Sequence, residues 1–169
     1  MTTRRQLTPS GYARIEKEIR KLKNVDLPRL IDHLRDVRED NVGNDEDPEL
    51  HNAMVDKERL EDRINQLQAI LNGAQIIDEN DPSVINIGDR VVVYDRDYDE
   101  ELTLDMVDGA EVIAGRRGIS SESPLGQALL GAKVGDTVEI DSPDGTLQYK
   151  VRSFAPIPDD DADDDDYTM

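Results

Sequence analysis

The sequence predicts an α+β protein: an N-terminal antiparallel α-helical coiled-coil hairpin followed by a small antiparallel β-sheet domain with one short helix. Three observations carry this. Apolar residues step by three and four from Tyr12 to Leu71. One short run of turn formers cuts that pattern into two arms. From Ala74 onward the spacing changes to short β-branched runs punctuated by Gly, Pro and Asp.

The first arm opens at Thr8, a suitable N-cap, with Pro9 at the first helical position, where its missing N–H does no harm. Tyr12, Ile15, Ile19, Leu22 and Val25 then form one stripe, continued by Leu30 or Ile31, Leu34 and Val37. Pro28 lies inside this run and predicts a local bend. A helix from Pro9 to near Glu39 would be roughly 45 Å long at ~1.5 Å per residue. The interruption, EDNVGNDEDPEL from Glu39 to Leu50, holds six acids and no base. Asn41, Gly43, Asn44 and Pro48 make it a turn. Beyond it Asp47 suits an N-cap, and Leu50, Met54, Lys57, Leu60 (or Glu61), Ile64, Leu67 and Leu71 restore the stripe up to Gly73, a helix-ending residue. Two such stripes joined by a short turn are expected to bury each other.

Gln75–Asp78 and Val84–Ile87 read as short extended pieces, and Val91–Tyr94 as a strong strand. Asp95–Glu101 is an acidic turn. Glu101–Val107 and Ala110–Ala114 follow as strands, and Gln127–Leu130 as the short helix, led in by Ser123-Pro124-Leu125-Gly126. Thr137–Ile140 and Leu147–Phe154 close the sheet around the turn Pro143-Asp144-Gly145. The domains expected are 1–76, the finger; 77–156, the sheet domain; and 157–169, an acidic tail too polar to form a core and expected to be disordered.

Charge is uneven. The chain of 169 residues carries a net charge of −19, which argues against wholesale binding to free nucleic acid. Residues 1–38 nevertheless hold ten Lys/Arg against five Asp/Glu, a balance of +5, whereas Asp159–Asp166 holds seven Asp and no base. The absence of Cys excludes disulfide and thiol chemistry. No apolar run reaches the ~18–20 residues of a membrane span, and none follows the N-terminus as a secretory signal would. A soluble, cytoplasmic protein with no membrane partner is expected.

An enzyme with its own active site is not expected. His33 and His51 both fall in predicted helices, and no phosphate loop, Cys/His metal cluster or nucleophile elbow is present. The tip carboxylates are the one chemical cluster. Their oxygens suit Mg²⁺ or Mn²⁺, but a loop acting alone would hold a metal weakly, so completing a site provided by another protein is the better reading. The simpler alternative is a solvated loop.

Several stretches then resemble the bacterial GreA/GreB (Gre-type) transcript cleavage factors. They are Leu7-Thr8 with Gly11, Glu46-Asp47-Pro48-Glu49-Leu50-His51, Leu71 to Asp78, Ser123 to Gly131, and Val134-Gly135-Asp136. The resemblance runs from about Leu7 to Phe154. It implies a coiled-coil finger, a C-terminal domain related to the FK506-binding proteins, and RNA polymerase as partner, probed through its secondary channel. It also implies contact with the nascent RNA 3′ end through the polymerase. The chain would act as a monomer, with no cofactor of its own and with the Mg²⁺ of the polymerase active site as the metal served. Carried onto this sequence, the family's tip Glu falls on Glu46, while its Asp falls on Gly43 or Asn44. Asp45 is the expected replacement, with Asp40 as the alternative; Asp40, Asp47 and Glu49 complete the acidic cluster. Ser123, Pro124, Leu125, Gly126 and Gln127 are expected to dock on the polymerase, although Leu125 could equally plug the local core. The activity implied is stimulated cleavage of the RNA 3′ end in backtracked complexes. Channel occupancy without cleavage is the near alternative. A chaperone or prolyl-isomerase module is disfavoured, since one Phe and no Trp make an aromatic proline pocket hard to build.

Overall fold

The computed structural model describes residues 4–43, 46–77 and 80–158. Both predicted parts are present. The described residues form two compact units, one within Ala13–Gly73 and the other made of those up to Tyr12 together with those from Ala74 on.

In the hairpin unit the first arm is not one regular helix. α1 (Pro9–Lys21) runs into a π turn at Leu22–Asp26, and α2 (Leu27–Asp40) follows. The Leu27 N–H bonds the Leu22 carbonyl five residues back. Pro28 explains this: it cannot donate, and its ring crowds the carbonyl one turn earlier, so the ladder widens just before it. The predicted disturbance is therefore a π turn and not a simple bend, and it swings Val25 out of the seam to 38% exposure. Ile15, Ile19, Leu34 and Val37 are buried as the stripe predicted.

The return arm is α3 (Pro48–Gly73). Ile64 and Leu67 are buried, but in its first half the seam residue is Ala53, 3% exposed, and Met54 stands out at 48%. The repeat actually used is Leu50, Ala53, Lys57, Leu60, Ile64, Leu67 and Leu71, in strict steps of three and four. Arg63 reaches across to Glu18 at 3.3 Å.

In the second unit β1 (Arg5–Leu7), a strand the sequence did not predict, pairs in parallel with β2 (Ala74–Ile76). β3 (Asp89–Asp95), β4 (Glu100–Val107), β5 (Ile119–Ser120), β6 (Thr137–Ser142) and β7 (Gly145–Pro156) form one sheet in the order β5-β4-β3-β7-β6. It is antiparallel except at the β4–β5 edge, where the pairing is parallel. Val91, Val93, Met106, Tyr149 and Val151 face the core, with Ile85 and Leu129 beneath. Val84–Ile87 is not a strand; Ile85 is instead pinned to the loop after the second helix of this unit, by bonds of 2.9 Å with Gly131 and Ala132.

Two short helices replace the one expected. α4 (Gly109–Ile113) occupies the predicted strand Ala110–Ala114. Asp108 caps it, accepting the Ala110 N–H at 2.8 Å. The buried set is Ala110, Glu111 and Ala114, a helical spacing, and Val112 is exposed. α5 (Pro124–Leu129) begins three residues before the predicted helix.

Candidate functional site

The tip is built by two helix ends. α2 stops where the Asn41 N–H and side-chain amide both bond the Val37 carbonyl, at 3.1 and 3.0 Å. Gly43 then takes φ +90°, a left-handed conformation open to glycine. α3 restarts at Pro48 behind Asp47, whose Oδ1 accepts the Glu49 N–H at 2.7 Å. Asp47 thus acts as the predicted N-cap. With Glu49 in the first turn, both carboxylates lie where the helix dipole favours negative charge, which offsets part of the repulsion within the cluster. Asp40, at the opposite pole of α2, has no such support.

Glu46 is exposed in the turn before the cap and takes no part in it. Asp45 and Asn44 lie outside the described residues. The tip also presents an apolar residue that composition did not single out, Val42, at 87% exposure. Among the described residues no three His, Cys, Asp or Glu side chains converge as metal ligands. His33 and His51 are both exposed on the hairpin.

The Ser123–Gln127 stretch has a structural logic of its own. The Ser123 hydroxyl donates to the Ser120 carbonyl at 2.7 Å and accepts the Gly126 N–H at 3.1 Å, capping α5. Pro124 takes the first helical turn. A Cβ on Gly126 would strike the Ser120 carbonyl, so only glycine fits there. Leu125 is half-buried against the core, the alternative the sequence left open. Pro124 and Gln127 are the members left exposed.

Residues 5–76 match the profile described as "Transcription elongation factor, N-terminal", and residues 79–156 match "Transcription elongation factor, GreA/GreB, C-term". The chain belongs to the GreA/GreB family of transcription elongation factors. It is 38% identical over 149 residues to transcription elongation factor GreA of Rhodospirillum rubrum, covering 86% of this chain and 93% of that one. With GreA of Acetivibrio thermocellus it shares 35% identity over 148 residues, covering 86% and 92%. The solved structure of GreA factor homolog 1 (Gfh1) of Thermus thermophilus is 31% identical, spans 90% of this chain and 99% of its own, and has a TM-score of 0.43.

One set of residues in this family member escaped the sequence reading. Glu111, 1% exposed, and Arg116, 7% exposed, form an ion pair at 2.9 Å in the second unit. Thr8 joins them. Its N–H bonds Glu111 Oε1 at 2.7 Å and its hydroxyl donates to the same oxygen at 3.1 Å. The hydroxyl also accepts from Arg116 and from the Gly11 N–H, each at 3.0 Å, so Thr8 caps α1 as predicted while closing a buried network. A Cβ on Gly11 would collide with the Glu111 carboxylate. Asp108 adds a second tie, accepting the Gln6 N–H at 2.9 Å with the oxygen not used to cap α4. The only sequence signals were a Thr-Pro-Ser-Gly start and an acid-base pair spaced by five, neither of them specific.

Proposed function

We propose that this protein acts on RNA polymerase, entering its secondary channel with the hairpin tip and stimulating Mg²⁺-dependent cleavage of the nascent RNA 3′ end in backtracked complexes. The observation that carries the reading is the match of both family segments, 5–76 and 79–156, to a chain whose helical hairpin ends in an acidic turn. α3 alone has 26 residues, roughly 39 Å at 1.5 Å per residue, which gives the tip the reach of a delivery device.

The donor set suits the metal. Carboxylate oxygens are the ligands a hard cation takes. Asp47 and Glu49 already serve the start of α3, so Glu46, exposed and outside the cap, is the acid offered to a partner, with Asp45 beside it in sequence. A Mg²⁺ held by the polymerase would supply Lewis-acid activation of water for phosphodiester hydrolysis. Glu46 and Asp45 contribute negative oxygen donors that retain and orient that ion. The globular unit contributes docking, with Pro124 and Gln127 as the exposed members of the loop assigned to it. The chain itself is not an enzyme on this reading; it lends ligands to the polymerase.

A second reading has one observation in its favour. Gly43, one of the two positions on which the family's metal-holding Asp falls, has no side chain to offer and sits at φ +90°. A factor that occupies the channel without cleaving would follow if Asp45 does not take over. The test is single-turnover RNA cleavage in stalled, backtracked complexes across a Mg²⁺ series. RNA shortening that depends on the added protein supports the first reading. Polymerase binding with no shortening at any Mg²⁺ concentration supports the second, and failure to bind polymerase sinks both.

A further inference from the structure

At the apex of the hairpin stands a side chain that the folded chain itself does not use. Val42 is 87% exposed, more than any other large apolar residue among those described. Turns are built from Gly, Pro, Asn, Asp and Ser, and a β-branched side chain has nothing to offer there. An apolar residue just beyond a helix end commonly folds back on the last turn; at its exposure Val42 stands clear of it. The space around the turn is open as well, since a Cβ built on Gly43 would meet nothing within 4 Å.

The turn nevertheless holds Val42 in place. The Asn41 N–H and side-chain amide both bond the carbonyl of Val37, itself 5% exposed in the seam, at 3.1 and 3.0 Å. Gly43 follows at φ +90°. Val42 therefore sits between a clamped residue and a fixed reversal of the chain. A group held in position before binding loses little freedom on binding, which favours affinity. Burial by a partner would supply the hydrophobic driving force that Val42 does not receive in the free chain.

Charge selects the class of partner. Glu39, Asp40, Glu46 and Glu49 flank Val42 along the chain and are all exposed. Arg38, one helical turn before Val42, is the nearest Lys or Arg in the sequence. A nucleic acid would bring its phosphates to these acids, and it would meet an aliphatic group where bases are held by aromatic or Arg planes. A protein surface with an apolar socket edged by Lys or Arg suits both the side chain and its surroundings.

We propose that Val42 inserts into an apolar socket, edged by basic side chains, on a polypeptide of RNA polymerase. The inference rests on the reading of this chain as a polymerase factor and adds a contact that seats the tip, separate from the metal donors. Glu39 and Asp40 are the acids offered to the basic edge, which leaves Glu46 to the metal.

Because the chain has no cysteine, Val42→Cys gives the full-length protein a single thiol for a benzophenone photo-crosslinker. In stalled, backtracked complexes saturated with this protein, the crosslink is expected on a polymerase polypeptide. A crosslink on RNA, or none from a labelled protein that still binds, overturns the proposal. Val42→Thr keeps the shape of the side chain and adds a hydroxyl. It should raise the half-saturating concentration about tenfold, with the saturated cleavage rate and the urea midpoint unchanged. A lower saturated rate at unchanged half-saturation would place Val42 beside the reacting RNA end and overturn the proposal. Should the wild-type chain bind without cleaving, half-saturation is read from polymerase binding, and the same tenfold shift is expected. Wild-type protein that does not bind polymerase removes the polymerase reading and this inference with it, whereas equal binding by wild type and Val42→Thr removes this inference alone.

Discussion

The hairpin and the globular unit use the same charged side chains under opposite physical regimes. In the hairpin, Arg20–Glu16, Arg35–Asp32, Lys57–Glu61 and Arg59–Asp56 are local and wet, three or four residues apart with side chains between 34% and 78% exposed, and Arg63–Glu18, which bridges the arms, still leaves its side chains 32% and 31% exposed. In the globular unit, Glu111 and Arg116 meet at 6% side-chain exposure or less and are tied to Thr8, more than a hundred residues away in sequence. Exposed pairs gain little, because water already solvates both partners. A buried pair gains little against an apolar replacement, yet it is very costly to break, since the surviving charge is left without water or partner. The lesson is that charge content says little about stability until burial is known.

The largest expected effect breaks the buried side of this contrast. Glu111→Ala should strand Arg116 and cost about 3–5 kcal/mol, read as a fall in the urea midpoint; a loss below 1 kcal/mol would show that water reaches the pair. Next comes the hairpin seam. Leu67→Ala, at a fully buried position, should cost about 2–5 kcal/mol, while Met54→Ala should stay within about 0.5 kcal/mol. Thermal unfolding of the two variants checks whether Ala53, and not Met54, carries that half of the seam.

The tip variant separates chemistry from stability. Glu46→Ala should slow RNA cleavage in backtracked complexes by about 10²-fold, roughly 2.7 kcal/mol at the barrier, with unfolding unchanged because the side chain is exposed. Equal cleavage rates for wild type and variant would remove Glu46 from the metal site. A smaller effect is expected in the Ser-Pro-Leu-Gly loop, where Ser123→Ala removes a helix cap worth about 1 kcal/mol, measured by denaturant titration. Smallest of all, Glu61→Gln should discharge the exposed Lys57 pair for only about 0.3–0.5 kcal/mol, and less at high salt.

Much of the architecture was legible because it is local. Helical stripes, the Asp47 and Thr8 caps and the β-branched run at Val91–Tyr94 each depend on residues within one or two turns of one another. The errors share a cause as well. Met54 satisfies the three-and-four spacing as well as Ala53 does, but Ala53 is the buried one, since close approach of two helices selects the small residue. The predicted strand Ala110–Ala114 is a helix, set by the Asp108 cap and the burial of Glu111. At the candidate site, the acids could be found from composition and the family resemblance, whereas the division of labour among them could not. That Asp47 caps α3 while Glu46 remains outside the cap depends on backbone geometry at the turn.

By itself, then, the sequence determined the helical hairpin, its acidic tip, the β-rich second part and the family to which the chain belongs, since all of these rest on periodicity, capping chemistry and contiguous motifs. Only the tertiary structure decided that the first strand pairs with β2 and that Thr8, Glu111 and Arg116 close one buried network. Those features bring together residues far apart along the chain, or depend on how much water each side chain keeps, and neither quantity is encoded in the local pattern of residues.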